Sequence, residues 1–402
     1  MVGRIDPYLF LPALLLSLVG IVLIFSALQD SSGHEASSYL RQLVWLAIGL
    51  LVFVAVSAIA PRIYENLSSL FYLVALLLLI LLFFGGASRL GATRWFSIGP
   101  LSLQPSEFAK VAVILLLARY LANRERPQFR VRWAVFSFLM VLLPALLILK
   151  QPDLGSSLVV VAVVPGMLFW GGMPITHIAL LLSPVVSLLA AFHWLSWAIF
   201  MLVLIVTLFV VRPTLRFALW VLATNLAAGI FTPLVWQRLH DYQKMRILTF
   251  LNPARDPQGA GYQIIQSKIA IGSGGLFGKG FLEGTQSKLA YLPARHTDFI
   301  FSVLGEEFGL LGCLVVLILF SVIVLRGVQV ARKARNHFLS LTAFGATTIL
   351  AFQVLVNVGV TTGLAPVTGL PLPFMSYGGS SMLLSWSLIG LLCLVSYTWQ
   401  EY

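Results

Sequence analysis

Hydrophobic residues in this chain run in long, nearly unbroken blocks divided by short polar stretches, without the alternation of a half-buried strand. A hydrocarbon core about 30 Å thick takes about 20 apolar residues in helical form. Blocks of that kind fall near 8–28, 41–60, 66–84, 105–122, 133–149, 154–171, 175–193, 196–211, 217–236, 298–325, 338–363 and 380–399. Twelve spanning helices follow. In lipid every backbone N–H and C=O must be paired internally, and these blocks are too long and too little alternating for barrel strands. The predicted fold is therefore all-α, a polytopic helical membrane bundle forming one transmembrane domain over 1–402, without internal repeats.

Composition agrees with that pattern. Of 402 residues, 59% are hydrophobic and 10% are charged, against roughly 25% charged in a soluble domain. The net charge of +12 reads as membrane topology and attraction to lipid phosphates, not as a nucleic-acid surface. With the N-terminus inside, the inner loops hold Arg62, Arg119, Arg124, Arg126, Arg130, Arg132, Arg212, Arg216, Arg326, Arg332, Lys333 and Arg335, whereas the short outer loops hold Arg41, Arg89, Arg94 and Lys150. That bias puts both termini on the cytoplasmic side. Arg4 precedes the first span and no small-residue cleavage site follows it, so the span reads as a retained helix. Cys313 and Cys393 lie inside apolar blocks, without metal-ligand or disulfide spacing.

One connection is long. Residues 237–297 fall outside on this topology and carry eight cations, among them Lys268 and Arg295, against Asp241, Asp256 and Glu283. Structureless loops of such length are unusual and often functional. Within it YQIIQSKIAIGSGG is amphipathic enough for a short interfacial helix.

Charges at membrane depth are costly, so each marks a candidate site. Glu107 and Lys110 in QPSEFAK are spaced i, i+3 on one helix face, as a functional pair or as a salt bridge that holds the helix. Asp153 in KQPDLG reads first as an N-cap for the helix that follows, and second as chemistry. Asp298 lies in PARHTDFIFSVLGEE, where the long basic loop enters a helix. There the helix dipole favours an ionised carboxylate, which is placed either to complement the helix end or to act as a general base on a hydroxyl. Glu306 and Glu307 follow, deep enough to need a partner. The glycines from Gly272 to Gly280 lack the dinucleotide spacing and a preceding strand, which excludes a nucleotide loop and leaves a turn. GLPLPFMSYGGSS, with Ser376 and Gly378, is either a re-entrant element beside a site or an outer loop. The chain has no Ser–His–Asp order, HExxH or paired-cysteine zinc motif.

Taken together, RWFSIGPLSLQPSEFAK, KQPDLG, HDYQKMRI, GAGYQIIQSKIAIGSGGLFGKG, GTQSKLAYLPARHTDFIFSVLGEE and LPLPFMSYGGSS occur in the order found in the shape, elongation, division and sporulation family of bacterial membrane proteins. The chain resembles that family over most of its length, and its elongation branch more than its division branch. The resemblance implies a peptidoglycan glycosyltransferase that polymerises lipid II on the outer face of the cytoplasmic membrane. It places the family's essential aspartate on Asp298 and its outer Glu and Lys on Glu107 and Lys110. It also implies a class B penicillin-binding protein as crosslinking partner, along with other elongation-complex membrane proteins, since no transpeptidase-like segment occurs here.

On that reading the leaving group is polyprenyl diphosphate. Arg94, Lys110, Lys268 and Arg295 are the candidate cations for it, with a divalent ion such as Mg or Mn as helper. The family usually has ten spans, so 175–211 reads as an added helical hairpin. A flippase or transporter, a scaffold, and a division-branch polymerase remain as alternatives.

Overall fold

The computed structural model describes residues 5–28, 37–85, 87–89, 92–98, 101–123, 131–238, 244, 260–288 and 295–400. Its helices are α1 (Pro7–Leu28), α2 (Ser38–Ala58), α3 (Pro61–Gly85), α4 (Pro105–Ala122), α5 (Val131–Lys150), α6 (Leu154–Trp170), α7 (Ile175–Ala190), α8 (Trp194–Val211), α9 (Leu215–Arg238), α10 (Ala260–Gly274), the single turn α11 (Thr285–Lys288), α12 (Ile300–Lys333), α13 (His337–Thr362) and α14 (Gly379–Gln400). Every predicted span is a helix. Among the described residues nine are long and apolar enough to cross a membrane, and α6 and α7 are shorter apolar helices. The chain is a polytopic helical membrane protein.

Two polar clusters mark the ends of the bundle. At the terminal end the buried Asp6 accepts from Arg326 Nε on α12 at 2.9 Å and from Ser396 Oγ on α14 at 2.7 Å. At the opposite end Ser26 of α1 donates to Glu307 of α12. Helix α1 therefore lies antiparallel along α12. The core between these ends is apolar and aromatic. Trp386, fully buried, lies 5.5 Å from Phe10, 5.7 Å from Phe53 and 5.9 Å from Phe374, centroid to centroid. Small residues let α2 and α14 approach closely, Gly49 facing Trp386 and Gly390 facing Val56.

One departure from an all-helical reading is a small antiparallel sheet between α3 and α4. It consists of β1 (Ala87–Arg89), β2 (Ala92–Ile98) and β3 (Leu101–Leu103), in the order β1-β2-β3. Strands this short, set among glycines, give too little alternation to register as a sequence pattern. The sheet matters because β2 carries Arg94.

Helix α12 is broken at Gly309, whose φ of 62° and ψ of −160° no side-chain-bearing residue adopts without strain. The glycine-rich turn after α10 plugs the break. Leu310 and Leu311 N–H donate to the carbonyls of Gly275 and Leu276 at 2.9 and 3.1 Å, while Lys279 and Gly280 N–H donate to those of Glu306 and Glu307 at 3.0 and 3.1 Å. Backbone groups freed by a kink at membrane depth must find partners, and the glycine run supplies them. Buried Glu306 is neutralised there, accepting from Lys279 Nζ at 2.8 Å and Gln286 N at 2.9 Å. Helix α10 packs its Ile264, Ser267, Ala270 and Gly274 face inward. Most of the rest of the 237–297 connection lies outside the described residues.

Candidate active site

Three segments converge on Asp298. The first is its own turn, 295–299, immediately before α12. The second is the loop from Gly363 to Gly378, whose Leu370, Leu372, Phe374 and Met375 are buried, so this segment is an interior element and not an outer loop. Ser376 Oγ donates to Thr297 O at 2.6 Å, and Tyr377 N–H donates to His296 O at 2.9 Å. Gln42 of α2 holds this loop from the other side, donating from Nε2 to Ser376 O at 3.0 Å and accepting from Gly378 N at 3.2 Å. Gly369, with φ of 72°, lies beside the carboxylate; a Cβ there would come within 3.7 Å of Asp298 Oδ2. Ser376 and Gly378 are thus scaffold residues of the site.

The third segment is the start of α6. Asp153 is its N-cap, accepting from Ser156 N at 3.1 Å, as its position predicts. Its other oxygen accepts from Gln104 Nε2 at 2.8 Å. Gln104 N–H in turn donates to Ser380 Oγ at 3.0 Å, so the N-termini of α4, α6 and α14 meet at this end of the bundle. Arg94, reaching from β2, donates from Nε to Gln151 O at 3.0 Å and also bonds Pro152 O. Its guanidinium and the Asp153 carboxylate both act on the charge of Asp298.

Asp298 is half-buried, and loss of water pushes its carboxyl up to about 6; the Arg94 guanidinium draws it down and the Asp153 carboxylate pushes it up. Asp298 precedes the N-cap Phe299, outside the first helical turn. Desolvation here outweighs the dipole that the sequence reading expected to keep the group firmly ionised. A carboxylate titrating just below neutrality suits a general base better than one with an ordinary value.

The other candidates divide. Lys110 Nζ and Glu107 Oε1 form a buried ion pair at 2.6 Å in the first turns of α4. Glu107 lines an apolar cleft of about 350 Å³ between α2, α3, α4 and α14, with Gln104 and Ser380 at the Asp298 end and Ile59, Tyr64 and Leu391 deeper. From Gln104 to Leu115 that cleft follows α4 for roughly 16 Å at 1.5 Å per residue. Arg295 is buried in the Asp298 turn. Lys268 stands apart on α10, its side chain over Gly363 at the C-terminal end of α13, where the helix dipole favours a cation. The described residues gather no group of three or more His, Cys, Asp or Glu side chains for a metal ion, so they do not fit a dedicated metal cage. Gln42 and Asn357 also bond the segments around Asp298 and no sequence signal singles them out, whereas Gln104 opens the QPSEFAK stretch, from which the sequence reading took only the charged pair.

A polytopic helical bundle with an enclosed carboxylate at one end, above an apolar cleft, defines a membrane-embedded class of protein. The family model FTSW_RODA_SPOVE, described as "Cell cycle protein", matches residues 7–199 and 195–401. The peptidoglycan glycosyltransferase MrdB of Escherichia coli (strain K12) is 37% identical over 381 residues, covering 94% of this chain and 90% of that protein. A chain from a peptidoglycan synthase complex that coordinates polymerization and crosslinking is 33% identical with a TM-score of 0.72, over 99% of both chains. The crystal structure of the rod-shape-determining protein RodA of Thermus thermophilus is 28% identical with a TM-score of 0.64, over 99% of this chain and 98% of that one. The chain belongs to the FtsW/RodA/SpoVE family.

Proposed function

We propose that Asp298 is the general base of a peptidoglycan glycosyltransferase that polymerises lipid II during cell elongation. The activity is that of the family's curated relatives, and the elongation role follows the rod-shape likeness. The observation that carries the base assignment is an enclosed carboxyl titrating near 6 where the N-termini of α4 and α6 meet the end of the apolar cleft. The cleft suits a polyprenyl chain, with Gln104 at the boundary between tail and head group. Asp298 takes the proton of the acceptor's sugar hydroxyl. The resulting oxygen attacks C1 of the donor sugar, and the bond from C1 to the polyprenyl diphosphate breaks, leaving the diphosphate with the electron pair.

Arg94 is the cation best placed for that charge, since it already acts on Asp298. Lys110 is committed to Glu107 and serves the helix first. Any Mg or Mn requirement would be carried by the substrate diphosphate together with one or two carboxylates, the usual habit of Mg. The crosslinking partner is a class B penicillin-binding protein, supported by the likeness to the synthase complex. The Asp298 end faces outward and both termini face the cytoplasm of the inner membrane, supported by the placement of Arg326, Arg332 and Lys333 at the terminal end. Reading 175–211 as an added hairpin rests on the span count, twelve predicted here against the ten usual in the family. Purified protein with its partner, supplied with labelled lipid II, should yield glycan strands; absence of polymer from a well-folded complex would favour the flippase reading.

A further inference from the structure

The geometry assigns Asn357 as a positioning residue for Asp298, holding the backbone of the base and of the loop beside it through both hydrogens of its side-chain amide; this rests on the reading of Asp298 as the base. Asn357 lies on α13 and is 1% exposed. Its Nδ2 donates to Asp298 O at 2.9 Å and to Leu370 O at 2.8 Å. Those carbonyls belong to different segments. One carries the carboxylate, and the other directly follows Gly369, the residue beside Asp298 Oδ2. A single planar amide therefore fixes the position of the base relative to the wall next to it.

The remaining amide atom argues for function over stability. Asn357 Oδ1 is buried and has no hydrogen-bond partner among the described residues. A buried polar atom left unmet costs stability, which offsets what the two donated bonds supply. A near-isosteric leucine removes the unmet oxygen and keeps the packing, but it leaves the Asp298 and Leu370 carbonyls without this donor, so the variant should fold with moderately lower stability. Placement of the base should suffer more, because a 1 Å displacement of a reacting group can cost about 100-fold in rate. Asn357 touches no reacting atom, so its effect is on turnover through Asp298 and not on binding.

The test is steady-state lipid II polymerisation by the full-length protein with its partner, for Asn357→Leu, Asn357→Ser, Asn357→Asp and, in parallel, Asp298→Asn. Asn357→Leu should lower kcat of the folded fraction by about 100-fold with KM within about twofold, its melting temperature falling only moderately because two carbonyls lose this donor. Asn357→Asp, which turns both donors into acceptors facing carbonyls, should be no better. If Asn357→Leu does not fold, Asn357→Ser carries the same expectation. A kcat near wild type, or a loss explained by raised KM or by unfolding, overturns the inference. Should Asp298→Asn remain active, the base reading itself fails. An inactive Asp298→Asn beside a normal Asn357→Leu removes the positioning role alone.

Discussion

The raised titration of Asp298 has a direct kinetic consequence. With the carboxyl at about 6, about nine-tenths of molecules carry the reactive carboxylate at pH 7 and about one-tenth at pH 5. A carboxyl at its ordinary value would stay more than about nine-tenths ionised at both. The acid limb of kcat/KM should therefore fall roughly tenfold between pH 7 and pH 5, with its midpoint near 6. The two neighbouring charges give the control. Arg94 holds the carboxyl down, so Arg94→Gln should move the midpoint to higher pH; Asp153 holds it up, so Asp153→Asn should move it to lower pH. Asn is itself a good N-cap, so the second variant keeps the start of α6. The assay is initial-rate polymerisation of fluorescent lipid II in detergent across pH 4.5–8 (a range on the order of that over which a carboxyl near 6 titrates), with folding checked at each pH. The sign for stability also follows. A folded pKa above the unfolded value stabilises at low pH and loses that contribution as pH rises through about 6. Asp298→Asn should thus melt higher than wild type at neutral pH. An acid limb below about pH 4.5, or one indifferent to both neighbours, would refute the electrostatic account of the site.

Three further outcomes are expected. Neutralising Lys110 or Glu107 alone leaves a buried charge without its partner and should cost about 3–5 kcal/mol, whereas the double variant should cost less than the sum; strict additivity in thermal unfolding would contradict pairing. Glu283→Cys, at an exposed position near the plug, should react with an impermeant thiol reagent in intact spheroplasts, with the native Cys313 and Cys393 silent because both are buried; labelling only after lysis would invert the proposed topology. Deleting 175–211 should lower the melting temperature while sparing turnover of the folded fraction. Asn225 of α9 donates from Nδ2 to Ser183 at 2.8 Å and its carbonyl accepts from Ser187 Oγ at 2.9 Å, so the hairpin is tied to α9. A folded deletion variant without activity would place these helices in the substrate path.

The helices were legible because spanning lipid imposes one requirement, a block of about 20 apolar residues, on every span. Charged site residues were legible for the complementary reason: Asp298, Glu107 and Lys110 stand out against that background. What stayed hidden depends on partners far apart in sequence. Asn357 and Gln42 are ordinary amides inside apolar helices, and they gain meaning only when folding sets them against Asp298 O and Ser376 O. The glycine run after α10 reads as a turn, and its role in repairing α12 needs the break at Gly309 to be seen. Ser267 illustrates the same limit. It lies in the long connection that the topology places outside, yet it is fully buried and bonds Ser302 Oγ at 2.6 Å.

The central claim is that Asp298 is the base, and a near-isosteric change tests it most directly. Asp298→Asn keeps the backbone bond from Asn357 and the packing beside Gly369, since neither involves the carboxylate charge. Lipid II polymerisation by the purified variant, bound to its partner and shown to be folded, is the measurement. The account predicts loss of glycan strands by at least about 100-fold, in line with removal of a positioned base, with partner binding intact. Long glycan strands made at near wild-type rate would contradict it.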